Sequence, residues 1–223
     1  MIKDFIEKRN NIPSLTGSIW KKAFLLLYFF CIVFYASAQK DAIGEICKAS
    51  ERISTVHADF IQTKRMKRLS EAMVSKGKMW CTQPNFLRWE YQSPQTSLFI
   101  LNNGKVLLSK GKHDRVVSIN RSKMFRQMTR LMMPDGLGKC LTDEKDFRVS
   151  VESKATQHIL TLLPQSKELK QLFTRLVLYY NRKQSIVTKV EMYEKRGDSS
   201  VIELTNIKTN QNIDESVYSI NQK

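Results

Sequence analysis

The side chains with most chemistry in this 223-residue sequence are three histidines, His57, His113 and His158, and four cysteines, Cys31, Cys47, Cys81 and Cys140. Zinc sites built from such residues need closely spaced pairs, and neither H-x-x-x-H nor C-x-x-C occurs, so no metal centre is expected. A serine nucleophile would call for a G-x-S-x-G elbow, a bound phosphate for a glycine-rich loop and a zinc protease for H-E-x-x-H, and the sequence contains none of them. The carboxylate pairs Asp143-Glu144 and Asp214-Glu215 fall between apolar segments, where solvated turns account for them. The expectation is therefore a protein without catalytic residues or cofactor, whose function lies in the shape and lining of an apolar cavity.

Residues suited to such a lining are easily found. From Phe86 to Tyr91, Leu87, Trp89 and Tyr91 share one face of a strand while Arg88 and Glu90 share the other, with Pro84 and Pro94 on either side. The apolar run Leu98 to Leu101 meets Asn102-Asn103-Gly104 and resumes at Val106, a strong hairpin signal because a type I′ turn needs positive φ at both central residues. Leu98 and Ile100 are taken as the lining side of that run, in preference to Phe99 and Leu101. Phe60 joins them from an earlier strand. Between Asn120 and Met133, Met124, Met128, Leu131 and Met132 recur at helical spacing, and Pro134, Gly136 and Gly138 are expected to end that helix. Methionine is flexible and polarizable, which suits a surface that must accept varied apolar guests.

Several elements must position these residues. Ile43, Ile46, Cys47 and Ile53 mark a short amphipathic helix at the start of the globular part. Strand patterns then recur from His57 to Ile207, about ten in all, separated by turn-prone pieces such as Asn181-Arg182-Lys183 and Gly197-Asp198. The fold class expected is mainly β with few helices: a single antiparallel sheet that curls into an open half-barrel.

Charge and the N-terminus place the chain. Lys+Arg number 37 against 21 Asp+Glu, a net charge of +16, which favours an anionic partner. Lys3, Lys8, Arg9, Lys21 and Lys22 precede an apolar run from Ala23 to Tyr35, and Ala36-Ser37-Ala38 follows it. That is the pattern of a secretory signal peptide, with a run too short to span a bilayer, which takes roughly 20 residues. The division expected is a signal peptide at 1–38 and one exported domain at 39–223. An exported protein does not meet nucleic acid, so anionic lipid head groups or an acidic protein surface become the candidate partners. Cys47, Cys81 and Cys140 remain after cleavage, as one bridge with one free thiol or as three buried thiols, the latter favoured.

Ala58-x-Phe60-x-Gln62, Gly77-x-Met79-Trp80, Pro84-Asn85, Arg88-Trp89-Glu90, Pro94 and Asn103-Gly104 together resemble the N-terminal half of the outer-membrane lipoprotein carrier family, the LolA-like proteins. Gly197-Asp198, Ile202-Glu203-Leu204-Thr205-Asn206 and Asn210 are similar to its C-terminal half, so the resemblance covers most of 41–210. It implies a monomeric periplasmic half-barrel closed by a helical lid, with the acyl chains of a lipoprotein on its apolar inner face. It also implies two partners, an inner-membrane ABC-type releasing complex and an outer-membrane acceptor.

Two departures stand out. Family members often carry Arg just before Pro-Asn, where it bonds the lid. Here that position is Gln83, which makes it a lid-contact candidate without charge assistance. The end of the chain reads Val217-Tyr218-Ser219-Ile220 where an aromatic-x-aromatic run is common. A paralogue carrying an aryl-polyene or related lipid, and a periplasmic lipid-sensing regulator, are the alternative readings.

Overall fold

The structure is a computed structural model. It describes residues 41–220 other than 112, 122 and 144, and the side chains of 121, 123–125, 127, 128, 135 and 140 fall outside that description. The segment read as a signal peptide, 1–38, also lies outside it. Two compact units divide the chain, Met1–Asp41 and Ala42–Lys223, and every strand belongs to the second.

Eleven strands form one antiparallel sheet: β1 (Thr55–Arg65), β2 (Met73–Thr82), β3 (Phe86–Ser93), β4 (Ser97–Asn102), β5 (Lys105–Lys110), β6 (His113–Ser118), β7 (Phe147–Ser153), β8 (Gln157–Pro164), β9 (Phe173–Asn181), β10 (Ile186–Glu194) and β11 (Ser199–Thr209). The helices are α1 (41–50), α2 (Lys123–Met132), α3 (Pro134–Thr142) and α4 (Lys167–Leu172). Two meanders, β1–β6 and β7–β11, join where the first strand pairs with the last, in the order β6-β5-β4-β3-β2-β1-β11-β10-β9-β8-β7. The sheet is open and neither closes nor curls strongly. Curling was expected because two helices are too few to cover so many strands. Instead, four helices and the C-terminal segment divide the covering between the two faces.

Both faces of the N-terminal meander are apolar for this reason. On one side Val56, Ala58, Phe60, Met79, Leu87, Trp89 and Leu101 form a core with Met133 of the α2–α3 junction. On the other, Ile100 and Leu107 pack against Tyr218, with Trp80, Phe86, Leu98, Ile213, Val217 and Ile220 around them. The returning C-terminal segment is strapped down by Arg88, which donates to the Val217 carbonyl at 3.1 Å, and by Asn102, which donates to the Tyr218 carbonyl at 3.0 Å. Burial pushes the Tyr218 phenol up to about 12, and its hydroxyl lies 2.8 Å from Thr82 Oγ1.

Three local differences from the sequence reading have simple causes. Strand β6 is missed because His113–Ser118 is an exposed edge strand with no apolar alternation. The short helix α4 falls between two strand patterns, where no helix is expected from the sequence. The first helix stops before Pro134, at Met132, but Pro134 also begins a second helix, since proline at the first helical position loses no intrahelical bond. Within α3, Gly136 and Gly138 serve close packing: a Cβ at Gly136 would lie 2.3 Å from the Arg130 carbonyl oxygen, and one at Gly138 would lie 3.3 Å from Cys47 Sγ on α1. Cys81 is fully buried in the core, and burial raises the Cys47 thiol.

The tightest approach in the sheet is at Gly77 on β2. A Cβ there would sit 1.9 Å from the Glu90 carbonyl oxygen and 2.5 Å from Phe60 Cζ, so Gly77→Ala forces the ring or the β3 backbone to move. Overpacking of this kind should lower stability by about 3 kcal/mol. Gly44 on α1 has nothing within 4 Å of the same position, and Gly44→Ala should raise stability by about 0.5–1 kcal/mol. Denaturant unfolding of both variants checks the contrast.

Candidate functional site

Strand pairing decides which side chains share a face. Trp89 stands opposite Phe99 and Leu87 opposite Leu101 across β3 and β4, while Trp89 pairs with Met79 and Leu87 with Cys81 across β2. The Phe60 ring stacks on Trp89 at 4.3 Å between centroids, and Tyr91 meets its edge at 5.1 Å. These contacts fix an inner face that continues through Gln62 to Ile202 on β11 and Val190 on β10.

Above that face lies a cavity of about 360 Å³. Its floor comes from both meanders: Val56, Gln62, Met79, Trp89, Tyr91 and Phe99 on one side, and Leu176, Leu178, Tyr180, Val187, Val190, Met192, Ile202 and Leu204 on the other. Its cover is Thr129, Leu131, Met132, Met133, Pro134 and Leu137, from α2, α3 and the junction between them. Topology puts those helices there. β6 and β7 occupy opposite edges of the sheet, so the segment joining them has to recross its face.

Among the described residues the lining carries no charged side chain. Its main polar feature is the pair in which Tyr91 Oη donates to Gln62 Oε1 at 2.6 Å, and burial raises the Tyr91 phenol. Among the described residues the cavity has no nucleophile–base pair, and its lining is mainly apolar. Its volume sits at the small end of ligand pockets.

Of the lining residues chosen from the sequence, Trp89, Leu131 and Met132 border this cavity. Phe60 and Leu87 lie fully buried in the core beneath it. Leu98 and Ile100 are on the opposite face, against Tyr218, and Phe99 takes the lining position instead. The run Leu98 to Leu101 is apolar at every position because both its faces are covered, so alternation could not choose between them. Met124 and Met128 belong to α2, and their side chains lie outside the described residues. The C-terminal contribution was missed, although alternation marks it: Ile202 and Leu204 face the cavity while Glu203 is exposed.

Gln83 reaches α1 and not the cover. Its Nε2 donates to the carbonyls of Ser50, at 3.3 Å, and Ile53, and its backbone N–H donates to the Ser54 carbonyl at 2.9 Å. Asn210 completes the same anchorage, its Nδ2 donating to the Arg52 carbonyl at 3.0 Å and its Oδ1 accepting from Ser54 N at 2.8 Å. The carbonyls of Ser50, Arg52, Ile53 and Ser54, at and just after the end of α1, receive donors from outside the helix in this way. Since Gly138 of α3 rests on Cys47 and Ser50, Gln83 fixes the platform on which the cover sits. On the far side of α1, Glu45 accepts from Arg182 Nε and Nη2 at 3.0 Å each, which lowers its pKa.

Residues 51–221 match the family model described as outer membrane lipoprotein carrier protein LolA. The chain belongs to that family. It is 28% identical over 204 residues to the outer-membrane lipoprotein carrier protein of Glaesserella parasuis serovar 5 (strain SH0165), covering 91% of each. It is 27% identical over 169 residues to the one from Legionella pneumophila (strain Lens), covering 76% of this chain and 80% of the relative. An uncharacterized conserved protein from Thermus thermophilus shares the fold, with a TM-score of 0.50 at 12% identity over 79% of this chain and 92% of that one. LolA proteins are carriers and not enzymes, and membership implies lipoprotein cargo and a periplasmic location.

Truncating Gln83 removes the side-chain donor from the Ile53 carbonyl and leaves the Ser50 carbonyl with only the Ile53 N–H at 3.3 Å. Gln83→Ala should therefore cost about 1–2 kcal/mol of stability. Amide exchange should speed up first in 47–54, which hydrogen-exchange mass spectrometry resolves by segment.

Proposed function

We propose that residues 39–223 form a monomeric periplasmic carrier that takes the acyl chains of a lipoprotein into the cavity, with the open sheet as its floor and α2–α3 as its lid. The observation that carries this reading is the uncharged cavity itself, floored by both meanders and covered by two short helices joined at Met133. Export would use the signal peptide at 1–38, with cleavage after Ala38. The cargo would come from an inner-membrane ABC-type releasing complex and pass to an outer-membrane acceptor.

The energetics of such a carrier are constrained from both sides. Each methylene moved out of water contributes about 0.8 kcal/mol, so several acyl chains in an open cavity would hardly leave. In the closed form the cavity is too small for such a load, and α2–α3 must be displaced on loading. The cost of separating Leu131, Met132 and Leu137 from the sheet offsets part of the acyl gain and keeps transfer reversible. Gly136 and Gly138 let α3 pack closely, so this cost is set by shape more than by hydrogen bonds.

Ile202 lines the floor and Glu203 points away from it, which provides a matched pair. Ile202→Glu places a carboxylate against the acyl chains and should weaken binding of a fluorescent fatty-acid probe at least about thirtyfold, by about 2 kcal/mol or more. Glu203→Gln should leave it unchanged. Equal losses from the two would remove this face from the reading.

A further inference from the structure

Five large apolar side chains are well exposed among the described residues, and three of them, Leu69 (54%), Met73 (48%) and Val74 (48%), belong to the tip of the β1–β2 hairpin. The same tip carries Arg65, Lys67, Arg68 and Lys76, all exposed, against the single carboxylate Glu71. Because β1 pairs with β11, the β10–β11 turn lies beside it and adds Lys195 and Arg196. The two tips are packed together. Lys67 N donates to Asp198 Oδ1 at 2.9 Å, Lys64 Nζ pairs with Glu194 at 3.1 Å, and a Cβ on Gly197 would lie 2.8 Å from Lys67 Cδ. None of Arg65, Lys67, Arg68, Lys76, Lys195 and Arg196 forms an ion pair among the described residues.

Exposed apolar side chains ringed by unneutralised cations match one surface in particular. Phosphate head groups complement the cations, and the acyl layer just beneath them accepts Leu69, Met73 and Val74. A water-exposed tip built only for solubility would need the charges and not the apolar residues. The tip also has a fixed relation to the cavity. Gln62 and Ile202, at the cavity's end, pair with each other three residues from Arg65 and Ser199, so a bilayer seated on the tip would face that end of the cavity.

We propose that the paired β1–β2 and β10–β11 tips dock the protein reversibly on an anionic phospholipid bilayer, with Leu69 and Met73 entering the head-group layer. This surface is independent of what the cavity holds.

The test is co-sedimentation of the protein, purified without detergent from the cell envelope, with vesicles of phosphatidylethanolamine and phosphatidylglycerol and with vesicles of phosphatidylcholine alone. The proposal expects binding to the first at least about tenfold tighter than to the second, and weakening in high salt. Arg68→Gln with Lys195→Gln should lower the partition by about 25-fold, or fivefold per cation. Leu69→Ser with Met73→Ser should lower it at least about tenfold, and neither pair should move the thermal midpoint because all four side chains are exposed. Lys105→Gln with Lys110→Gln, an equal charge change on β5, should have little effect. Absence of binding to anionic vesicles, equal binding to neutral ones, or equal losses from the β5 pair would overturn the proposal. So would retention of binding in the Leu69 and Met73 variant.

Discussion

The rest of the molecule depends on the stack of Phe60 on Trp89 above Gly77. Only glycine leaves room there for the ring, and the ring's position locks β1, β2 and β3 into one register. Because side chains alternate along a strand, a slip of one residue would exchange the two faces of all three strands. Trp89 and Met79 would then meet the C-terminal segment, and Arg88 and Glu90 would line the cavity. The charged pair Arg88–Glu90, at 2.6 Å, lies instead on the face covered by Val217 and Tyr218, where its guanidinium holds the chain end.

Given that register, the topology produces the cavity. A meander that ends at one edge of a wide sheet and another that begins at the opposite edge require a long connection across the face. The sheet's centre is where the first and last strands meet, so the connection passes over residues from both halves. Helices α2 and α3 cover that face without filling it, and α1, held by Gln83 and Asn210, supports α3 from the side.

The sequence made the strand-rich class legible because turn residues recur between apolar segments at short intervals. Leu87, Trp89 and Tyr91 were legible because Arg88 and Glu90 alternate with them. Leu98 and Ile100 were not, since burial on both sides erases the period that would separate them from Phe99 and Leu101. The position of Gln83 was marked by its neighbours Pro84 and Asn85, but not its partner, because the carbonyls of Ser50 and Ile53 carry no sequence signature. The second helix was obscured by Pro134, Gly136 and Gly138, which read as a stop locally and serve tertiary packing in the fold. Strand β6 left no trace because an edge strand in water needs no apolar face.

The central claim is that the space under α2–α3 holds the acyl chains of a lipoprotein. Mass spectrometry of the material bound to the protein, purified from the envelope without detergent, tests it most directly. The account predicts an acylated lipoprotein or its lipid-modified N-terminal fragment, at no more than one per chain. A polyene lipid in its place would contradict the lipoprotein cargo, and protein that carries no lipid and binds no apolar probe would contradict the carrier role.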